Sequence, residues 1–212
     1  MFRYRLLPAS TLGLLLTLSS VAVLAQDSEL FSIRHRWENI TQQMPEEARA
    51  GALESLGGEL ESLAGRYPDS AAVWTWLGIV QASAARAEGG MAALGLAKQA
   101  RNALQQAIDL DERGSDASAY VTLGALYDKV PGWPIGFGDS DKAETMFRRA
   151  LAVRPDGIDV NYYYAAFLKD EGREAEALEH ARLAAEGTVR EGREASDEAL
   201  REQARALVAA LQ

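Results

Sequence analysis

The sequence contains no cysteine. Disulfides, thiol nucleophiles and cysteine-held zinc are therefore excluded, and so is a lipid anchor on a thiol. Histidine is nearly as scarce, with only His35 and His180, and no His-x-x-x-His spacing offers a metal pair. His35 lies between Arg34 and Arg36, and His180 lies near Glu179 and Arg182, so both read as surface residues. There is no Gly-x-Ser-x-Gly nucleophile elbow. Gly132, Gly136 and Gly138 are not followed by the Lys-Ser/Thr pair of a phosphate-binding loop. Acid pairs such as Glu174/Glu176 and Asp197/Glu198 read as solvated helix faces. The expectation is a non-enzymatic chain with no metal and no cofactor. Positive charge is also short: 22 Lys and Arg face 31 Asp and Glu, for a net charge of −9. Nucleic acids and anionic membrane surfaces, which attract basic patches, are poor candidate partners.

The one long apolar run is at the start. Arg3 and Arg5 precede an uncharged stretch from Thr11 to Ala25, and Val23 and Ala25 supply small residues three and one before a cleavable bond. Basic start, apolar middle and small-x-small exit describe a secretory signal peptide, residues 1–25. The run falls short of the about 20 residues that span a bilayer. The expected location is periplasmic or otherwise exported, with cleavage after Ala25 leaving residues 26–212. Without disulfides, packing alone must stabilise that chain.

What is abundant is Ala, Leu, Glu and Arg, which favours helix. No extended alternation of apolar and polar residues suggests strand. Breakers fall at Pro45, Tyr67-Pro68-Asp69, Gly89-Gly90, Gly114-Ser115, Val130 to Gly138, Pro155-Asp156-Gly157, Gly172 and Gly187. Between them the sequence predicts helices near 28–43, 46–65, 70–86, 92–111, 116–129, 140–153, 158–171, 174–186 and 195–211. The segment Trp74-Thr-Trp-Leu77-Gly78 matches Tyr120-Val-Thr-Leu123-Gly124, and a degenerate copy runs Asn161-Tyr-Tyr-Tyr164-Ala165. In each, the small residue lets a neighbouring helix approach and the large one fills the gap. A second helix follows each copy, with Ala100, Leu104 and Ala107, then Ala143, Phe147 and Ala150, then Ala177, Ala181 and Ala184 on one face. Ala143 and Ala177 are 34 residues apart, a common repeat length, whereas Ala100 and Ala143 are 43 apart, so the middle repeat carries an insertion.

These residues resemble the tetratricopeptide repeat (TPR). The best match runs from Tyr120 to Pro155, with Leu-Gly-x-x-Tyr in the first helix and Ala-x-x-x-Phe-x-x-Ala before the closing Pro155. The resemblance implies an all-α, right-handed α-solenoid of about three helix pairs with additional N-terminal helices and a C-terminal capping helix. The divisions are 26–68 for the N-terminal helices, 69–191 for the repeats (about 71–112, 117–155 and 158–191), and 192–212 for the cap. Leu200, Ala204, Leu207 and Leu211 give that last helix an apolar stripe. The expanded middle repeat is also similar to exported bacterial repeat proteins grouped with the T-component of TRAP-type transporters. That likeness implies an accessory that binds a solute-binding protein or a small apolar ligand.

Two regions could bind. The loop Val130–Asp139 interleaves Pro131, Pro134 and three glycines with Trp133, Ile135 and Phe137. Its rings either plug a gap between helices or form a recognition wall, and Asp139 or Ser140 caps the next helix. By the resemblance, the concave face is lined by Ala72, Thr75, Ile79 and Ala82, by Ser118, Val121, Ala125 and Asp128, and by Asp159, Tyr162, Ala166 and Lys169. This lining is mostly small and apolar, with Lys169 its one base and Tyr162 a candidate anchor, and suits an apolar ligand or partner segment, unless the loop or the N-terminal helices cover it. The candidate binding residues are Trp133, Pro134, Phe137, Tyr162, Thr75, Ile79, Val121, Ala125 and Lys169. Tyr164 should point into the repeat core and Tyr162 into the groove. Trp37, with Phe31, Ile33 and Ile40, should pack the N-terminal helix.

Overall fold

A computed structural model describes the backbone of residues 11–212 and the side chains from residue 25 onward. Arg3 and Arg5, which open the expected signal peptide, lie outside the described residues. Among those described there are nine helices: α1 (Thr11–Gln42), α2 (Glu46–Arg66), α3 (Ala71–Glu88), α4 (Ala92–Leu110), α5 (Ser118–Lys129), α6 (Ser140–Val153), α7 (Ile158–Asp170), α8 (Glu174–Glu186) and α9 (Glu194–Ala210). Helix α1 runs unbroken through the expected cleavage point after Ala25. No helix among the described residues is long and apolar enough to cross a membrane.

Helices α3/α4, α5/α6 and α7/α8 pack as consecutive antiparallel pairs, with α2 against α3. The repeated small–large pattern explains the pairing. At Gly124 a Cβ would sit 2.7 Å from the Phe147 ring, so only glycine lets α5 and α6 close to this distance. Phe147 is fully buried and packs against Tyr164 and Phe167, with ring centroids 5.7 and 5.6 Å away. The alanines at 100, 107, 143, 150, 177, 181 and 184 are all inaccessible to solvent, which puts the predicted second-helix faces inside each pair. The residues around 84–96 mainly lengthen helices: α3 continues to Glu88, Gly89–Met91 turn, and α4 starts at Ala92.

Helix α5 starts at Ser118 rather than near 116, for a backbone reason. Gly114, Ser115, Asp116 and Ala117 all have positive φ, between 47° and 71°. Four successive left-handed residues cannot begin a right-handed helix. Asp111 braces this run by accepting from the Arg113 and Ser115 N–H groups, at 3.0 and 2.8 Å.

Helix α9 caps the solenoid differently from the simple end cover that the sequence suggests. It packs on α8 and α7, and its first turn also reaches α1. The two ends of the chain's helical order therefore meet.

Candidate functional site

The loop between α5 and α6 divides its aromatic groups between two tasks. Phe137 turns inward, edge-on to Tyr127 with ring centroids 5.7 Å apart, and the Arg101 guanidinium lies 4.5 Å from its ring centroid. Trp133 turns outward and is 90% exposed, and Ile135 beside it is 59% exposed. The loop is thus part plug and part projection, on different residues. The backbone between them is tied down. Gly138 N–H donates to Pro131 O at 3.0 Å, Asp139 N–H to Tyr127 O at 2.9 Å, and both Ile135 and Gly136 N–H to Gly132 O at 3.1 Å. Gly136 and Gly138 serve close approach, not the positive φ that their residue type suggests: a Cβ on either would run into the carbonyl oxygens of Pro131 and Val130. Asp139 caps α6, accepting from Lys142 N–H at 3.0 Å. The Trp133–Pro134 bond is cis, and Pro134 is exposed.

Of the two forms expected for the concave face, open or covered, the structure shows the covered one at its start. Ile79 is buried in the cluster that α1 closes with Leu30, Ile33, Trp37 and Ile40. Thr75 is buried and donates to Ser115 Oγ at 2.8 Å, and Val121 is buried in the second cluster. These three residues are not available to a partner. Tyr162 is half-buried and donates to Gln203 Oε1 of α9 at 2.8 Å, while Ala125 is half-buried and Lys169 exposed. Burial raises the Tyr162 phenol above its ordinary pKa. Tyr164 enters the core as expected, but Phe31 is 53% exposed and contributes no core packing.

Across the inner face lies a cluster of charges that no sequence spacing announces. Asp159, at the start of α7, is 5% exposed and bonded to Arg154 at 2.5 Å and Arg190 at 3.1 Å. Arg190 also holds Asp197 of α9, which is completely buried, at 2.6 Å. Arg193 places its guanidinium 4.9 Å from the Trp37 ring centroid and 5.2 Å from that of Trp76. The two indoles meet edge-to-face at 5.7 Å. Glu38 of α1, 7% exposed, accepts the Ser196 N–H at 2.9 Å. Burial pushes the Asp159 carboxyl upward, but the fields of Arg190, Arg154 and Arg193 and the Val160 N–H outweigh it and hold the carboxyl below its ordinary value. Burial, with Arg190 beside it, pushes Arg193 down to about 10. Burial opposes the charge on Arg190 too, yet Asp197 and Asp159 raise it above the usual arginine value.

His180 is not the free surface residue its charged neighbours suggest. Its ring meets Tyr164 edge-on at 4.7 Å and its Nδ1 lies 2.8 Å from Asn161 Oδ1. Burial lowers its pKa. His35 is exposed and packs on Phe31 at 4.6 Å. No group of three or more His, Asp or Glu among the described residues is placed to hold a metal ion.

No protein-family model matches the chain. No curated protein matches it significantly. Among solved structures, it is similar to a thermophilic TPR protein of Thermus thermophilus, with a TM-score of 0.58 at 22% identity, over 92% of this chain and 96% of that one. The chain has the fold of a TPR protein: an α-solenoid of three helix pairs, extended at both ends.

Proposed function

We propose that this chain is an exported, non-enzymatic interaction scaffold of the cell envelope, and that it holds a protein partner by the Trp133-Pro134-Ile135 knob. The observation that carries the reading is the 90% exposed indole of Trp133 on a backbone fixed by four hydrogen bonds. An exposed large apolar group on a pre-organised loop loses little freedom on binding, and tryptophan is enriched among residues that dominate interface energies. The fitting partner offers an apolar slot deep enough for an indole, with an acceptor for its Nε1–H. Export is supported by Arg3, Arg5, the apolar run and the Val23/Ala25 exit. The TPR fold itself supports protein partners. A TRAP-type accessory with an apolar pocket near Trp133, Phe137 and Tyr162 finds no support in the geometry: Trp133 projects away from the chain, Phe137 is packed on Tyr127, and Tyr162 is bonded to α9.

The test is a photo-crosslinking residue at position 133, expressed in the native host. A discrete adduct in the envelope fraction, absent when the crosslinker stands at exposed Glu54, is expected. N-terminal sequencing of the recovered chain should begin at Gln26. A partner held with unchanged affinity by Trp133→Ala would overturn the knob as the contact.

A further inference from the structure

The inner-face cluster has an asymmetry in how it is assembled. Trp37 and Glu38 come from α1, Trp76 from α3 and Asp159 from α7, three elements distant in sequence. Their counterparts, Arg190, Arg193 and the Ser196 N–H, all lie within one short stretch leading into α9. A discontinuous site holding a continuous segment is the geometry of a receptor and a linear ligand. What holds α9 has a distinctive chemistry. Its completely or nearly buried residues are Ser196, Asp197 and Ala204, while Leu200, Leu207 and Leu211 are only half-buried. Ion pairs taken out of water specify geometry well but add little net stability, because desolvation offsets most of their attraction. With the segment lifted, the site presents the Asp159 and Glu38 carboxylates beside two indoles, with Arg154 already engaged by Asp159 and Asp116. Such a surface complements a guanidinium, through charge at one end and cation–π contact at the other.

We infer that the inner face is a binding site for a linear segment with two arginines three residues apart ahead of a helix start, and that residues 190–197 occupy it in cis. A partner protein carrying the same pattern takes the site by displacing α9. The surface is independent of the Trp133 knob: that loop leaves the C-terminal end of α5, whereas Asp159 opens α7.

A labelled peptide spanning residues 187–212 tests this against full-length chains. It should bind the R190A/R193A chain at least about tenfold more tightly than the wild-type chain, whose site is filled. The same peptide carrying both alanines should bind neither. Equal binding to both chains, or equal binding of both peptides, would overturn the proposal. Hydrogen exchange on the unmutated chain gives a second reading that does not depend on the variant folding. Amides of α9 should exchange at least about tenfold faster than those of α7 and α8, and faster still at about 1 M salt. Exchange of α9 in step with α7 and α8 would overturn the displaceable segment. A concentration-dependent dimer of the wild-type chain on sedimentation would replace the foreign partner by a second copy.

Discussion

Two interiors hold this chain, and they are built from opposite materials. Between paired helices the contacts are alanine, leucine and phenylalanine, with Phe147 and Leu104 completely enclosed. Inside the curl the contacts are arginine, aspartate and glutamate, with two tryptophans as flat walls. The first kind of interior is non-directional and strong for its area. The second is directional, and its cost of desolvation is offset only where a charge meets an opposite charge or an indole face. The difference teaches where stability and selectivity reside: the pairs keep the solenoid folded, and the polar interior decides what can lie within it.

The largest test of the contrast is Phe147→Ala. The ring is fully enclosed and touches two other aromatics, so its loss should cost about 3–5 kcal/mol, read by denaturant unfolding. Next comes Asp159→Ala, which strips Arg154 and Arg190 of a shared buried carboxylate. A cost of about 3 kcal/mol is expected at neutral pH. Because the Asp159 pKa is depressed in the folded chain, its contribution is fully present above the ordinary aspartate value and fades as pH falls through the depressed one. The stability gap between wild type and D159A should therefore stay level from neutral pH to about pH 5 and narrow below about pH 4. A gap that ignored acid would place the loss in packing and erase the distinction between the two interiors.

Smaller effects sharpen it from outside. Asp116→Gly should raise stability by about 0.5–1 kcal/mol, since it relieves a left-handed backbone and gives up only the contacts of an exposed carboxylate to Arg113 and Arg154. Trp133→Ala should leave thermal unfolding within about 0.5 kcal/mol of wild type, because a 90% exposed ring belongs to neither interior.

The paired-helix interior was legible in the sequence, because it is written in short spacings. Ala143, Phe147 and Ala150 mark one face of one helix, and Gly124 announces the close approach that Phe147 exploits. Helix ends from α2 onward fall within two residues of those predicted from breakers and periodicity. The polar interior was not legible. Glu38 and Ser196 stand 158 positions apart, and no periodicity marks two residues that meet only through the curl. Asp159 was placed on the inner face, but its partners Arg154 and Arg190 lie between predicted helices, Arg190 in the charged connection Arg190-Glu-Gly-Arg193, and no spacing singles them out. Thr75, Ile79 and Val121 were read as groove lining because the pattern of a single repeat cannot show what other segments lay over it. The loop was legible in composition but not in direction: nothing in Trp133-Pro-Ile-Gly-Phe137 says which ring faces Tyr127.

The bond between Glu38 and the Ser196 N–H also sets an order of events. Each helix pair can form from neighbouring residues, but this contact joins residues 158 positions apart and needs α9 in place. Until α9 docks, the Asp159 and Glu38 carboxylates and the two indoles have no arginine segment against them. The earliest chance for a foreign arginine-bearing segment to enter therefore comes while the chain folds, before it can close on itself.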